Sequence, residues 1–389
     1  MKSTLKRTWA EIDLDALEHN YTVLRRRVGE QVKFLGVVKA DAYGHGSVQV
    51  SHELERLGAD YLAVSSLDEA VELRENGVTM PILILGHTPR GEVGTLIRYG
   101  ITQAVSCLAK AENYSAEASE LGATLKVHIK VDTGMGRLGF LCAGDRFDEG
   151  VDNIVYACGL PGLEPEGIFT HFAVSDEDEQ WCREYTQRQL DLFLRVIDAV
   201  QKKWGRSFAI RHCANTGAVA RYPEASLDMV RPGLLLYGYG PFAEELGLRP
   251  VMSLKCAIQT IKIYPEGARI SYGGTFVAQR TTRVGVLPYG YADGFFRMLS
   301  NRCSVLTSDG LVPQIGRICM DMSMVDLTDA PDVKVGDTVE IWGAGNPIEK
   351  MAEAADTIPY ELTCAVNKRV PRVYLRDGKE VSRELMLRM

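Results

Sequence analysis

Several kinds of sequence signal are scarce in this chain, and each scarcity removes a class of function. No window is long and apolar enough for a transmembrane helix, so a bilayer-spanning role is not expected. Met1 to Arg7 is basic but has no apolar segment behind it, so it does not read as a secretory signal. Nine cysteines lie scattered at 107, 142, 158, 182, 213, 256, 303, 319 and 364, with no C-x-x-C pair. They read as reduced thiols of a cytoplasmic protein rather than a disulfide framework or zinc ligands. Seven histidines are equally dispersed, and no metal site is expected. A formal charge of −7 with no basic run argues against a nucleic-acid surface.

What is present is a large globular chain of 389 residues, 46% hydrophobic and 24% charged, enough for two domains or for a barrel with a smaller partner. From Asp13 to about residue 233, helix-period segments alternate with short apolar strands. The first helix, Asp13 to Val28, carries Leu14, Leu17, Tyr21, Leu24 and Val28 at spacings of three and four. Strands are expected at 33–38, 61–65, 81–86, 102–106, 125–131, 166–171, 209–215 and 227–231, which makes eight. A long helix is expected from about Asp178 to Lys203. Eight strands alternating with helices predict an α/β fold with an N-terminal (β/α)8 TIM-like barrel, and a doubly wound sheet is the runner-up.

After Gly238-Tyr239-Gly240-Pro241 the pattern changes to period two. Strands are expected at 252–264, 282–287, 302–307, 314–320, 323–326 and 338–342, with short helices near 348–355 and 360–366. The expected division is a barrel over residues 1–240 and a mostly-β C-terminal domain over 241–389, with the first ten or so residues available to pair with the β domain.

Chemistry on such a barrel belongs at the carboxyl ends of its strands. Lys39 follows the uncharged run Phe34-Leu35-Gly36-Val37-Val38, and an amine held in an apolar pocket has its pKa lowered into the nucleophilic range. That makes Lys39 a possible Schiff-base lysine, against the plainer reading of a lysine that leaves the sheet for water. Asn215-Thr216-Gly217 and Arg231-Pro232-Gly233-Leu234 follow strands seven and eight, where phosphate sites are favoured. Arg137, in a loop with three glycines, reads as an anion ligand or a surface ion-pair residue. His171 and His212 read by spacing as rim or core histidines.

Taken together, these segments resemble the alanine racemases. Val37-Val38-Lys39-Ala40-Asp41-Ala42-Tyr43-Gly44-His45-Gly46 is similar to that family's pyridoxal-phosphate signature. The stretches around Lys130 to Gly139, Asn215-Thr216, Arg231 to Gly233, Tyr272 to Phe276, Gly316 to Asp321 and Tyr360 follow its other motifs in the same order. The resemblance implies a fold-type III enzyme that uses pyridoxal 5′-phosphate to interconvert L- and D-alanine, as a head-to-tail homodimer with shared active sites. Lys39 would hold the cofactor. Tyr43, Thr216, Gly233, Leu234 and Tyr360 would bind its phosphate, and Arg231 would face its pyridine nitrogen. Arg137 would contact the ring hydroxyl and the substrate carboxylate, with His171 and Asn215 also on the cofactor. Lys39 and Tyr272 would be the two bases. Tyr272, Met320 and Asp321 would come from the other subunit, with Tyr291 also at the substrate. Lys130 matches a position carbamylated in several family members. Thr216 stands where serine is common, which keeps the hydroxyl. A serine or broad-specificity racemase and a decarboxylase of the same fold are the alternatives. The decarboxylases carry glutamate where Arg231 stands.

Overall fold

The computed structural model describes residues 7–385. Eight parallel strands form the barrel: Lys33–Val37, Tyr61–Val64, Ile82–Ile84, Ile101–Val105, Leu125–Asp132, Leu163–Phe169, Ile210–His212 and Met229–Val230. Each of the first six pairs with the next in parallel, and the eighth pairs with the first through Met229 opposite Lys33. The seam between the seventh and eighth is closed by Asp228 N–H to Arg211 O at 3.1 Å and Arg231 N–H to Ala214 O at 2.9 Å. The parallel barrel expected from eight alternating units is therefore the observed one.

The residues explain the layers. Phe34, Leu35, Gly36 and Val37 are all buried, as a strand covered on both faces requires. A Cβ on Gly36 would lie 2.5 Å from Leu54 Cδ1, so the helix Ser47–Leu57 packs against bare backbone there. Leu35, Val37, Tyr61, Ala63, Leu83, Ile210 and Met229 form a small apolar cluster of their own, separate from the large core under the helices. The helix Leu14–Val28 starts at Asp13, whose Oδ1 accepts N–H of Asp15 and Ala16, both at 2.9 Å, and it ends at Gly29 with φ 84°. The long helix spans Gln180–Trp204 and stops at left-handed Gly205.

The second sheet has ten strands in the order Thr260–Tyr264, Thr282–Leu287, Ser323–Asp326, Gly310–Ile315, Ser304–Thr307, Thr338–Trp342, Met252–Ala257, Thr8–Asp13, Arg372–Arg376, Lys379–Glu384. The strand Thr8–Asp13 thus lies between the antiparallel Met252–Ala257 and the parallel Arg372–Arg376. Ala10 and Ile12 are completely buried there.

Two expectations need correction. The segment 252–264 is not one strand: it breaks after Ala257, and the two halves join opposite parts of the sheet because Gln259 turns to bond Val286 O at 2.9 Å. The strand expected at 314–320 ends at Ile315, because Gly316 has φ 69° and turns the chain so that Arg317 to Met320 form a loop. The strands at Arg372–Arg376 and Lys379–Glu384 are additional to those expected, and Thr8–Asp13 is the part of the chain's start, expected to be available to the β domain, that enters its sheet.

Candidate active site

Lys39 opens the loop after the first barrel strand, and that loop has an unusual backbone. Ala40, Asp41, Ala42 and Tyr43 all have φ between 51° and 56°, a left-handed helical turn made without glycine. Such a turn costs roughly 1–2 kcal/mol per residue from Cβ crowding. It is held from several sides. Ala42 N–H bonds Val38 O at 2.9 Å, and Gly46 N–H bonds Asp41 O at 3.0 Å. Asp41 Oδ1 accepts Ser47 N–H at 2.9 Å, and Glu69 Oε1 accepts Ala40 N–H at 2.8 Å. Buried His45 donates from Nδ1 to Ala42 O at 2.8 Å, and burial drops its pKa to about 3, so it stays neutral. Arg372, from the second sheet, donates to Gly44 O at 3.0 Å. A Cβ on Gly44 would lie 2.1 Å from Thr363 O, so this backbone is pressed against the chain's later part.

The turn presents Lys39 and Tyr43 to a cleft of about 720 Å³ at the carboxyl ends of the barrel strands. Lys39, Tyr43, Lys130, Arg137, His171, Asn215, Thr216, Arg231, Gly233 and Tyr360 all line it. Leu234 does not; it is buried at the start of the turn Leu234–Tyr237. Burial lowers the Lys39 pKa, and Arg137 lowers it further. Burial, Arg137 and Arg231 drop Lys130 to about 8. Burial also drives the phenols of Tyr43 and Tyr360 far above their ordinary range, which keeps both as neutral donors.

The hydroxyls converge around Gly233. A Cβ there would lie 2.8 Å from Tyr43 Oη and 3.4 Å from Thr216 Oγ1, and the Tyr43 and Tyr360 rings are 5.4 Å apart. Thr216 Oγ1 accepts Gly233 N–H at 2.9 Å. Asn215 caps the helix Thr216–Arg221 and accepts Ser175 Oγ–H at 2.6 Å. Hydroxyl donors, bare glycine backbone and four cationic side chains in one cleft suit an anionic, phosphate-bearing ligand.

Arg231 is buried and spends its donors on Thr170 O at 2.7 Å, Cys213 O at 3.2 Å and His212 Nδ1 at 3.0 Å. Burial pulls its pKa down to about 10, still cationic at neutral pH. His171, read by spacing as a rim histidine, lies in the cleft, and burial together with Arg231 pushes its pKa well down. Residues missed from sequence include Phe169, whose ring stacks on His212 at 4.8 Å, and Cys364 and Ile358 on the cleft wall. Phe169 ends the sixth barrel strand two residues before His171, so the strand-end rule could have found it.

Tyr272, Met320 and Asp321 line a different groove of about 740 Å³ on the second sheet, with Met322 and Met324. Tyr272 is 69% exposed. Tyr291 belongs near them, its N–H bonding Cys319 O at 2.9 Å. Asp321 is tied to Arg369 at 2.7 Å. Within one chain the two sets of expected site residues line separate surfaces.

The model for "Alanine racemase, N-terminal domain" matches residues 12–241, and that for "Alanine racemase, C-terminal domain" matches residues 251–374. The curated alanine racemase of Desulfovibrio desulfuricans is 44% identical over 94% of this chain and 98% of its own length. Among solved structures, the alanine racemase of Clostridium difficile 630 superposes with a TM-score of 0.93 at 39% identity, covering 99% of this chain and 100% of that one. That of Bacillus anthracis with bound L-Ala-P gives 0.89 at 33% identity, covering 99% of each.

The left-handed turn generates a pH prediction. Burial lifts the Asp41 carboxyl from 3.8 to about 6, outweighing Arg372 and the Ser47 N–H. The folded state thus binds this proton more tightly than the unfolded chain does. The contribution is fully present below 3.8 and is lost as pH rises through about 6. Asp41→Asn keeps an oxygen for Ser47 and removes the proton. Urea unfolding at stepped pH should show the parent losing stability relative to Asp41→Asn between those limits; a constant gap would contradict the assignment.

Proposed function

The chain belongs to the alanine racemase family, and from that premise we propose that it is a pyridoxal 5′-phosphate enzyme interconverting L- and D-alanine, supplying D-alanine for peptidoglycan. The observation that carries the reading is the cleft itself: Lys39 beside the hydroxyl cradle of Tyr43 and Thr216 at Gly233, with buried Arg231 in the same wall. The space a Cβ would fill at Gly233 is the space the cradle leaves for phosphate oxygens. An arginine where a decarboxylase of this fold would carry glutamate favours the racemase. The relative from Bacillus anthracis was solved with bound L-Ala-P, an alanine-named ligand, which supports an alanine-sized substrate here.

When bound, pyridoxal 5′-phosphate supplies an electron sink that weakens the α C–H bond of an amino acid joined to it. The chain's own groups do the rest. Tyr43, Thr216 and Tyr360 donate to the phosphate, at the bare backbone of Gly233. Asn215 and His171 border the ring. Arg137 binds the substrate carboxylate. Lys39, its pKa lowered by burial and by Arg137, moves a proton at one face of the α-carbon, the D-face. Tyr272 moves a proton at the opposite face. Arg231 donates to the pyridine nitrogen and, being cationic, disfavours a proton there. Such a hydrogen bond would make the ring a weaker electron sink, which would limit side reactions.

Tyr272, exposed on its own groove, is assigned to the site of a partner subunit, with Met320, Asp321 and Tyr291. We therefore propose a homodimer in which each barrel cleft meets the partner's β-domain groove. The nine free cysteines suit a reducing compartment, and we assign the enzyme to the cytoplasm.

Chiral chromatography after incubation with L-alanine, L-serine and other L-amino acids tests the substrate: D-alanine should form fastest. Release of carbon dioxide without an enantiomer would point to a decarboxylase. Shared sites are tested by mixing. Lys39→Ala and Tyr272→Phe are each expected to be nearly inactive for racemisation. Unfolded together and refolded, they should regain activity, because the mixed dimer holds one intact site. No recovery would place both bases in one chain. Lys130, buried among cations with a pKa of about 8, is proposed to be carbamylated, its added anion orienting Arg137. Carbon-13 NMR of enzyme equilibrated with labelled bicarbonate should show a carbamate signal that Lys130→Ala removes. A bare amine in an atomic-resolution map would dismiss it.

A further inference from the structure

The barrel interior holds a hydrogen-bonded chain with one polarity. It begins at Arg231, which can only donate, so His212 Nδ1, 3.0 Å from its guanidinium, is the acceptor. The His212 proton is then on Nε2, which lies 2.8 Å from His128 Nδ1. His128 accepts there and must carry its own proton on Nε2, 3.2 Å from Glu166 Oε2. Glu166 also accepts Tyr61 Oη–H at 2.6 Å and Lys126 Nζ–H at 3.2 Å. Both imidazoles are completely buried. Burial drives their pKa values down, so they stay neutral. The hydrogen bond from His128 is the largest influence holding Glu166 ionised, with a pKa of about 2. Lys126 and Tyr61 begin their strands, so the chain ends toward the mouth of the barrel opposite the cleft. The Phe169 ring stacks on His212 at an interplanar angle of 11° and fixes its plane.

We infer that Glu166 is a positioning residue for Arg231, acting through His128 and His212 to set both tautomers and the direction in which the guanidinium donates. This rests on the proposed role of Arg231 at the pyridine nitrogen. A carboxylate has no proton to offer, so it admits only one polarity. A carboxamide at the same place admits both, and the reversed one would aim a His212 Nδ1–H at the guanidinium. An outer partner that fixes a tautomer is worth far more to a site than its distance suggests.

Nitrogen-15 NMR of histidine-labelled enzyme, with and without cofactor, reads the tautomers directly. In the parent, His128 and His212 should both be protonated at Nε2 and unprotonated at Nδ1; a protonated Nδ1 on either overturns the proposal. Glu166→Gln should give mixed tautomers and lower kcat by about tenfold or more, the usual scale for losing an outer partner. Tyr61→Phe, which leaves the carboxylate charge, should keep the parental tautomers and most of kcat. Parental tautomers and kcat in Glu166→Gln would also overturn it. If that variant fails to fold, the parental tautomers still decide. A parent with these tautomers but no racemisation would instead sink the functional reading and leave the relay intact.

Discussion

The left-handed turn from Ala40 to Tyr43 is the constraint on which the rest of the site depends. Four non-glycine residues in that region are unfavourable by several kcal/mol in isolation, at roughly 1–2 kcal/mol each. A short loop could not hold them alone. The anchors come from far apart: Glu69 from the barrel, and Arg372, Thr363 and Tyr374 from the last part of the chain. Arg372 is almost completely buried and gives its remaining donors to Val366, Asn367 and Val370 carbonyls, so it is rigid before it meets Gly44. The second sheet thereby acts on the cofactor loop of the barrel. Separating the two parts would release the turn and, with it, the aim of Lys39 and Tyr43.

Electrostatics gives the cleft its appetite for anions. Lys39, Lys130, Arg137 and Arg231 come from the first strand end, the fifth strand, the loop after it, and the eighth strand end. No single segment collects them; closure of the barrel does. Burial and mutual repulsion lower the lysine pKa values, while the arginines remain charged. Such a cleft is stabilised when an anion enters, because the anion relieves the repulsion among its cations.

The barrel was legible in the sequence because eight buried strands and their amphipathic helices carry strong periodic signals. Lys39 was legible because an uncharged strand runs into it. The left-handed turn was not, since Ala-Asp-Ala-Tyr has no local preference for positive φ and the conformation is imposed by contacts more than 300 residues away in sequence, such as that from Arg372. That the chain's start could pair with the β domain was expected, but not which strands would flank Thr8–Asp13: its partners are at 252–257 and 372–376, and its six residues alone do not name them. His128 and Glu166 escaped because a histidine in a strand usually reads as core, and only closure of the barrel brings them together. The alternation of Lys126, His128 and Lys130 along one strand was the available signal, because polar residues at every second position on a buried strand must face something polar.

The groove bearing Tyr272 supplies the last step. An exposed tyrosine on a loop ordinarily has no reason to be held still, yet this loop is. Ser271 adopts φ 65° and ψ −175°, a region a serine enters only at a cost of about 1–3 kcal/mol. Its Oγ–H donates to Arg317 O at 2.6 Å. Gly316 brings the neighbouring backbone so close that a Cβ would lie 2.8 Å from Ser271 Cβ. Gln314 and Asn301 brace that corner through Gly316 O at 2.9 Å and Gly316 N–H at 2.6 Å. Strain fixed in place around a side chain that touches little within its own chain makes sense if its target lies on another. The barrel cleft holds Lys39 beside the hydroxyl cradle, and the groove holds a braced phenol. The proposed head-to-tail pair of chains would bring the two surfaces together at each of two sites, and it would give the strain at Ser271 a purpose.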